Sequence, residues 1–181
     1  MNCDIQYPRY LCFVDSANDN IVKALKSIGL FNLILRKHSQ SVELDFRYKG
    51  DLGKAELKAI IGNNDFFRVE EDFSALSPSE ILSKSTELIK GERYWECHNY
   101  LEELWKRNSG QKKALIHDVI GIVVSQIKVQ MGQREVGKVI YERSKEALKS
   151  GEACVLLPQL PSDFHYPLKI SLNVLSHLLD N

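Results

Sequence analysis

The most constraining pattern in this sequence is the strict alternation of apolar and polar side chains from Val42 to Tyr48. Apolar side chains stand at every second position, and Glu43, Asp45 and Arg47 stand between them. Successive side chains of a β-strand point to opposite faces, so this alternation predicts a strand with one apolar and one polar face. A strand of this kind belongs in a sheet whose apolar face is covered by another layer.

Other strand and helix signals surround this strand in a regular order. Segments 9–14, 31–36 and 66–70 are rich in strand-forming residues, whereas 21–28 and 50–61 carry apolar residues at helical spacing. The resulting order is strand, helix, strand, strand, helix, strand. It predicts a ferredoxin-like βαββαβ domain, which is an antiparallel sheet with both helices on one face.

The polar side chains of the alternating strand bear on possible ligands. If the apolar set faces the helices, Glu43, Asp45 and Arg47 lie on the open face, which is expected to be solvated or to contact another subunit. RNA-binding domains of this topology instead stack bases on aromatic side chains of that face. The chain also balances 24 basic residues against 24 acidic ones, so a nucleic-acid partner is not expected.

The second part of the chain carries helical signals. Ser77, Pro78 and Glu80 predict a helix start, with a capping box and a proline at the first helical position, and Gly91 ends that helix. Further helices are predicted at 94–107, 113–131, 135–150 and 168–179. The helix at 135–150 is expected to bury an apolar side made of Val136, Val139, Ile140 and Leu148.

The helix at 113–131 is apolar on most sides, which predicts a position in the centre of a bundle. One stripe of this helix differs, because it carries small and polar residues: Ala114, His117, Gly121, Ser125 and Lys128. Its small residues would let a neighbouring helix approach closely. The chain is therefore predicted to be α+β. Residues 1–75 form the ferredoxin-like domain, and residues 76–181 form an antiparallel all-α bundle with a C-terminal helix.

The helix at 94–107 carries the candidate functional residues. Its predicted apolar face is made by Tyr94, Cys97, Leu101, Leu104 and Trp105, and His98 lies inside this face. Glu102 follows four residues later, so the two side chains can meet. A half-buried histidine beside a carboxylate is compatible with a metal-binding pair, an acid–base pair or a hydrogen-bonded structural pair.

The same stretch resembles a known family. The family pattern is Gly-x-x-aromatic-aromatic-Glu-Ala-His-Glu-x-Leu-Glu-x-x-Trp, and this chain matches it at Gly91, Tyr94, Trp95, Glu96, His98, Leu101, Glu102 and Trp105. The pattern is similar to that of DUF309, a family of small helical proteins of unknown function. Cys97 and Asn99 depart from it, at the positions of the alanine and of the second acid. The resemblance covers about residues 78–150 and implies a helical fold without an established activity.

Two functions are favoured by these residues, and small-ligand sensing by the N-terminal domain stays open beside them. The first is a non-catalytic, oligomeric protein that acts through protein–protein contacts of the helical domain, with no cofactor. The alternative is a metal-assisted hydrolase. Its site would use His98 and Glu102 as metal ligands, with His117 and Asp118 as further catalytic candidates. Tyr94, Trp95 and Trp105 would line its pocket.

The spacing of the cysteines and the hydrophobicity of the N-terminus and of the helices indicate the cellular compartment. The four cysteines show no Cys-x-x-Cys spacing, which favours reduced thiols over a zinc site or disulfides. The N-terminus lacks the basic and apolar regions of a signal peptide. Polar residues interrupt the most apolar helix, so it is not expected to span a membrane. These observations predict a cytoplasmic protein.

Overall fold

The computed structural model describes residues 7–48, 54–62, 64, 66–69 and 72–150. The chain divides into two compact units between Glu70 and Glu71, and each unit is described by itself. Fold class and helix order follow the sequence-based expectation, with a sheet unit that precedes a helical unit.

The sheet unit has the predicted order of elements. They are β1 (Arg9–Val14), α1 (Asp19–Ser27), β2 (Phe31–Lys37), β3 (Val42–Arg47), α2 (Lys54–Ile61) and β4 (Phe66–Arg68). The strands lie in the order β2-β3-β1-β4, and every neighbouring pair is antiparallel. This arrangement confirms the ferredoxin-like topology.

One face of the sheet packs on both helices. Cys12, Leu44 and Phe46 form a single buried cluster with Leu25 of α1 and Leu57 of α2. The alternation in β3 therefore assigns its apolar side chains to the helical side, as predicted.

The expectation that the opposite face is solvated was wrong. Glu43 and Asp45 are almost fully buried, and so are Arg9 and Arg36. The register compensates these buried charges, because Arg36 lies directly opposite Glu43 on the neighbouring strand and bonds to it. Alternation along one strand carries no information about charges on the strands beside it.

The helical unit consists of α3 (Pro78–Lys90), α4 (Tyr94–Lys106), α5 (Gly110–Gln130) and α6 (Arg134–Ser150). The predicted capping box is present: the Ser77 hydroxyl accepts from the Glu80 amide, and the Glu80 carboxylate accepts from the Ser77 amide. α4 packs between α3 and α5, and α6 packs on α5. Their shared core includes Ile81, Leu101, Ile116, Val119, Val123 and Leu148.

Part of the predicted stripe on α5 contacts α6, from Gly121 to Lys128, whereas Ala114 and His117 at its start are exposed. A methyl group built on Gly121 would lie 2.1 Å from Ser144 Oγ, and one built on Gly137 would lie 2.7 Å from the Ser125 carbonyl oxygen. Both distances are below any real contact of a Cβ atom. The two helices therefore approach closely at two glycines, one on each helix.

The predicted apolar side of α6 was wrong for its valines. Val136 is 49% exposed and Val139 is 69% exposed, whereas Leu148 is buried as predicted. The buried positions of α6 include Gly137, Tyr141, Ser144 and Leu148. The close approach to α5 selects the small residues Gly137 and Ser144, and this rotates the valines outward.

Some sequence-based expectations fall outside the described residues, among them the terminal helix at 168–179. Within the described ranges, no helix combines the length and the apolar character that crossing a membrane requires.

Candidate functional site

The start of α4 is fixed by the turn that joins it to α3. Gly91 ends α3, Glu92 takes a left-handed conformation with φ of 57°, and the Arg93 amide donates to the Leu88 carbonyl at 2.8 Å. The buried side chain of Gln130 in α5 donates from Nε2 to the Glu92 carbonyl oxygen at 2.8 Å. This bond ties the first residues of the motif to the end of α5.

One side of α4 lies in the core of the helical unit. Tyr94, Cys97, Leu101 and Leu104 are buried there, as the helical spacing predicts. Burial raises the pKa of the Cys97 thiol to about 12. Burial also raises the pKa of the Tyr94 hydroxyl. Both groups therefore stay protonated at neutral pH.

The neighbouring side of α4 is only partly covered. Trp95, His98, Glu102 and Trp105 are all half-buried, and their spacing of three, four and three residues places them on one line along the helix. We call these four residues the motif stripe. Trp95 and Trp105 pack their inner surfaces against the core and mark the two ends of the stripe.

His98 contacts its neighbours on both sides. Its ring stacks on Trp95 with a centroid distance of 5.6 Å and an angle of 23° between the planes. Its Nε2 lies 3.4 Å from Glu102 Oε1, and its Nδ1 lies 3.3 Å from Asn99 Oδ1. The His98 side chain is 17% exposed and that of Glu102 is 46% exposed. The predicted meeting of His98 and Glu102 is therefore present in the fold.

One face of the Trp105 ring is contacted by a residue that the sequence did not indicate. The Nζ of Lys113, from the first turn of α5, lies 4.0 Å from the centre of the Trp105 ring. An ammonium over an indole face is attracted by the negative face of the ring. No spacing rule connects residues 105 and 113, because the turn between α4 and α5 sets their approach.

The other two carboxylates of α4 are held by arginines. Glu96 accepts two hydrogen bonds from the Arg93 guanidinium at 2.5 and 2.6 Å, and Glu103 accepts one from Arg107 at 3.0 Å. Glu96 is buried, and the Arg93 guanidinium compensates its charge.

His117 lies apart from this group. Its side chain is 68% exposed, and its recorded partner is Asp118, with Nδ1 and Oδ1 separated by 3.4 Å. Among the residues that the structure describes, no three histidine, cysteine, aspartate or glutamate side chains converge as a metal site would require. His98 and Glu102 thus form a pair without a third ligand in that part of the chain.

The comparisons with known proteins agree with the motif. Residues 82–138 match the model of DUF309, a domain of unknown function, so the resemblance seen in the sequence is confirmed for this segment. The match covers α4 and α5 in full and most of α3. No curated protein and no solved structure matches the chain.

Proposed function

We propose that the helical unit is a non-catalytic module that binds another protein through the motif stripe. The observation that carries this proposal is the pair of half-buried tryptophans, Trp95 and Trp105, at the two ends of one helix face. Tryptophan is enriched at protein–protein contacts, because it presents a large rigid apolar surface together with a hydrogen-bond donor.

The contacts of His98 support the same function. Its ring rests on Trp95 and touches Glu102, so the polar centre of the stripe is ordered before any partner arrives. A surface whose side chains are already held loses little conformational entropy when it binds. The stripe runs from residue 95 to residue 105, a length of about 15 Å at 1.5 Å per residue, which matches a short helical or extended segment.

The alternative is a metal-assisted hydrolase with a site at His98 and Glu102. The 3.4 Å separation of Nε2 and Oε1 allows both side chains to face one ion. A catalytic zinc site uses three protein ligands, however, and the described residues supply two at this place. We therefore place this function second.

The test is site-specific photocrosslinking in the native cell. A benzoylphenylalanine at Lys106, four residues after Glu102 and on the exposed side, should capture a partner. The same probe at Lys138 of α6, which is also exposed, is the matched control and should not capture that partner. Trp95→Ala and Trp105→Ala should each reduce the yield about tenfold or more, as expected for central tryptophans of an interface.

Metal content separates the two functions. The purified full chain and its His98→Ala variant are incubated with Zn²⁺ or Mn²⁺, desalted and measured by mass spectrometry. Stoichiometric metal that is lost in the variant would favour the hydrolase. In the crosslinking experiment, equal capture of the same protein by the probes at positions 106 and 138 would contradict the docking function.

A further inference from the structure

Glu102 has an unusual electrostatic position on α4. Arg93 pairs with Glu96, and Arg107 and Lys106 pair with Glu103, so these two carboxylates have cationic partners. Within the part of the chain that the structure describes, no lysine or arginine nitrogen lies within 4.0 Å of Glu102, and its nearest basic side chain is His98, with Nε2 at 3.4 Å. The least compensated charge on the helix therefore stands in the middle of the motif stripe.

Docking would change the surroundings of this carboxylate. Its side chain is 46% exposed, and water now solvates it. A partner that covers Trp95 and Trp105 also covers Glu102, because Glu102 lies between them on the same line. A carboxylate removed from water without a compensating charge costs several kcal/mol, so an entirely apolar partner would bind poorly.

A contact within the helical unit shows that a tryptophan of the motif stripe can bind a cation. The Lys113 ammonium lies over Trp105, within the same helical unit. A cation whose stem rests on an indole and whose charge reaches a carboxylate satisfies both components of this surface. Arginine suits the combination especially well, because its planar guanidinium can stack on a ring and bond a carboxylate at the same time.

We infer that the partner segment carries an arginine or lysine between apolar side chains, and that this cation pairs with Glu102 while the apolar side chains cover Trp95 and Trp105. The inference rests on the docking function proposed above and specifies its partner. It defines a basic–apolar protein segment as the occupant of the stripe.

The experiment uses the full chain with benzoylphenylalanine at Lys106 and adds charge changes at Glu102. Glu102→Lys should lower the yield of the crosslinked complex by roughly tenfold or more, because like charges repel across an interface. Glu102→Gln should lower it less, and Glu102→Asp least. The matched control is Glu142→Lys on α6, an exposed position with the same charge change, and it should keep the yield of the parent protein.

Charge exchange completes the test. The crosslinked partner peptide is identified, its arginine or lysine is changed to glutamate, and this change should restore capture by Glu102→Lys. Equal yields for Glu102→Lys and Glu142→Lys would overturn the inference but leave docking intact. Absence of any crosslink from position 106 in the otherwise unchanged protein would overturn the docking function and the inference together.

Discussion

Buried charges of the sheet unit form a chain of ion pairs across three strands. The Arg9 guanidinium donates to Asp45 at 2.7 and 2.8 Å, Arg36 bonds to both Asp45 and Glu43, and His38 Nε2 lies 2.9 Å from Glu43. Burial alone raises the pKa of Glu43, but the bond with His38 and the charge of Arg36 outweigh it and leave the pKa below its usual value. Burial is likewise outweighed at Asp45, mainly by Arg9, so its pKa is also lowered.

Replacement of Glu43 by glutamine should destabilise the sheet unit. The variant leaves Arg36 buried with one carboxylate fewer, and removal of one partner from a buried pair typically costs about 3–5 kcal/mol. Urea unfolding at neutral pH, followed by far-ultraviolet circular dichroism, measures the loss. Glu142→Gln on the exposed face of α6 is the control and should change stability by less than about 0.5 kcal/mol.

The same carboxylates predict the response to acid. The pKa values of Glu43 and Asp45 are lower in the folded than in the unfolded chain. These carboxylates therefore stabilise the fold at any pH above their unfolded pKa values, which lie near 4.5 and 3.8. This stabilisation is lost as the pH falls through the lower folded values. Urea midpoints measured between neutral pH and about pH 3 should decline over this range, and less steeply in Glu43→Gln. An unchanged slope in the variant would contradict the ion-pair account.

Two glycines of the α5–α6 contact should not tolerate alanine. Replacement of glycine by alanine in a helix interior usually stabilises a protein by up to about 1 kcal/mol. Here the added methyl group would meet the Ser144 side chain or the Ser125 carbonyl oxygen. We expect Gly121→Ala and Gly137→Ala to destabilise the protein by about 1–3 kcal/mol, as overpacking does. Thermal unfolding checks this, with Gly91→Ala as control, since its methyl group would find ordinary contacts at 3.7 Å.

A double substitution identifies the cause of the Gly121 effect. Ser144→Gly removes the Ser144 side chain that the new methyl group would strike. The pair Gly121→Ala and Ser144→Gly should therefore be more stable than the sum of the separate changes indicates. Simple additivity would show that the helices do not approach closely at this point.

At the scale of elements, α4 is anchored to the segment that precedes α3. The Arg107 guanidinium donates to the carbonyl oxygens of Leu76 at 2.5 Å, Phe73 at 2.7 Å and Ser74 at 3.2 Å. The rings of Phe73 and Tyr100 lie 4.3 Å apart. The residues before α3 therefore belong structurally to the helical unit and hold the far end of the motif helix.

Loss of the Arg107 side chain should loosen this anchor. Arg107→Ala removes bonds from a charged donor to carbonyl oxygens, and such bonds contribute about 1.5–3 kcal/mol, so a loss of about 2 kcal/mol is expected. Thermal unfolding followed by circular dichroism measures it. Lys106→Ala removes the neighbouring exposed cation and should have little effect, whereas equal effects of the two variants would contradict the anchor.

Predictability from sequence also differs between elements. β3 and α4 could be predicted, because their apolar residues recur at the period of one element. The orientation of α6 could not, because Gly137 and Ser144 determine it through their small size and carry no apolar signal. The same limit applies to the site. The His98–Glu102 contact follows from helical spacing, whereas Lys113 and Gln130 reach α4 through tertiary packing.

At the scale of the whole molecule, the two compact units predict separable folding. A fragment that begins at Glu71 and keeps the rest of the chain should show helical circular dichroism and a cooperative thermal transition. A fragment that begins at Pro78 lacks the Ser77 cap and the carbonyls bound by Arg107, so it should melt at a lower temperature. Equal melting temperatures would show that residues 71–77 contribute nothing to the helical unit.

The positions of the two tryptophans have an optical consequence. The chain contains two tryptophans, and both stand on the motif stripe of the helical unit. Fluorescence excited at the red edge of indole absorption therefore originates from this surface alone. A bound segment that displaces water from the indoles would shift their emission to shorter wavelengths, so the unlabelled protein reports the occupancy of its own binding surface.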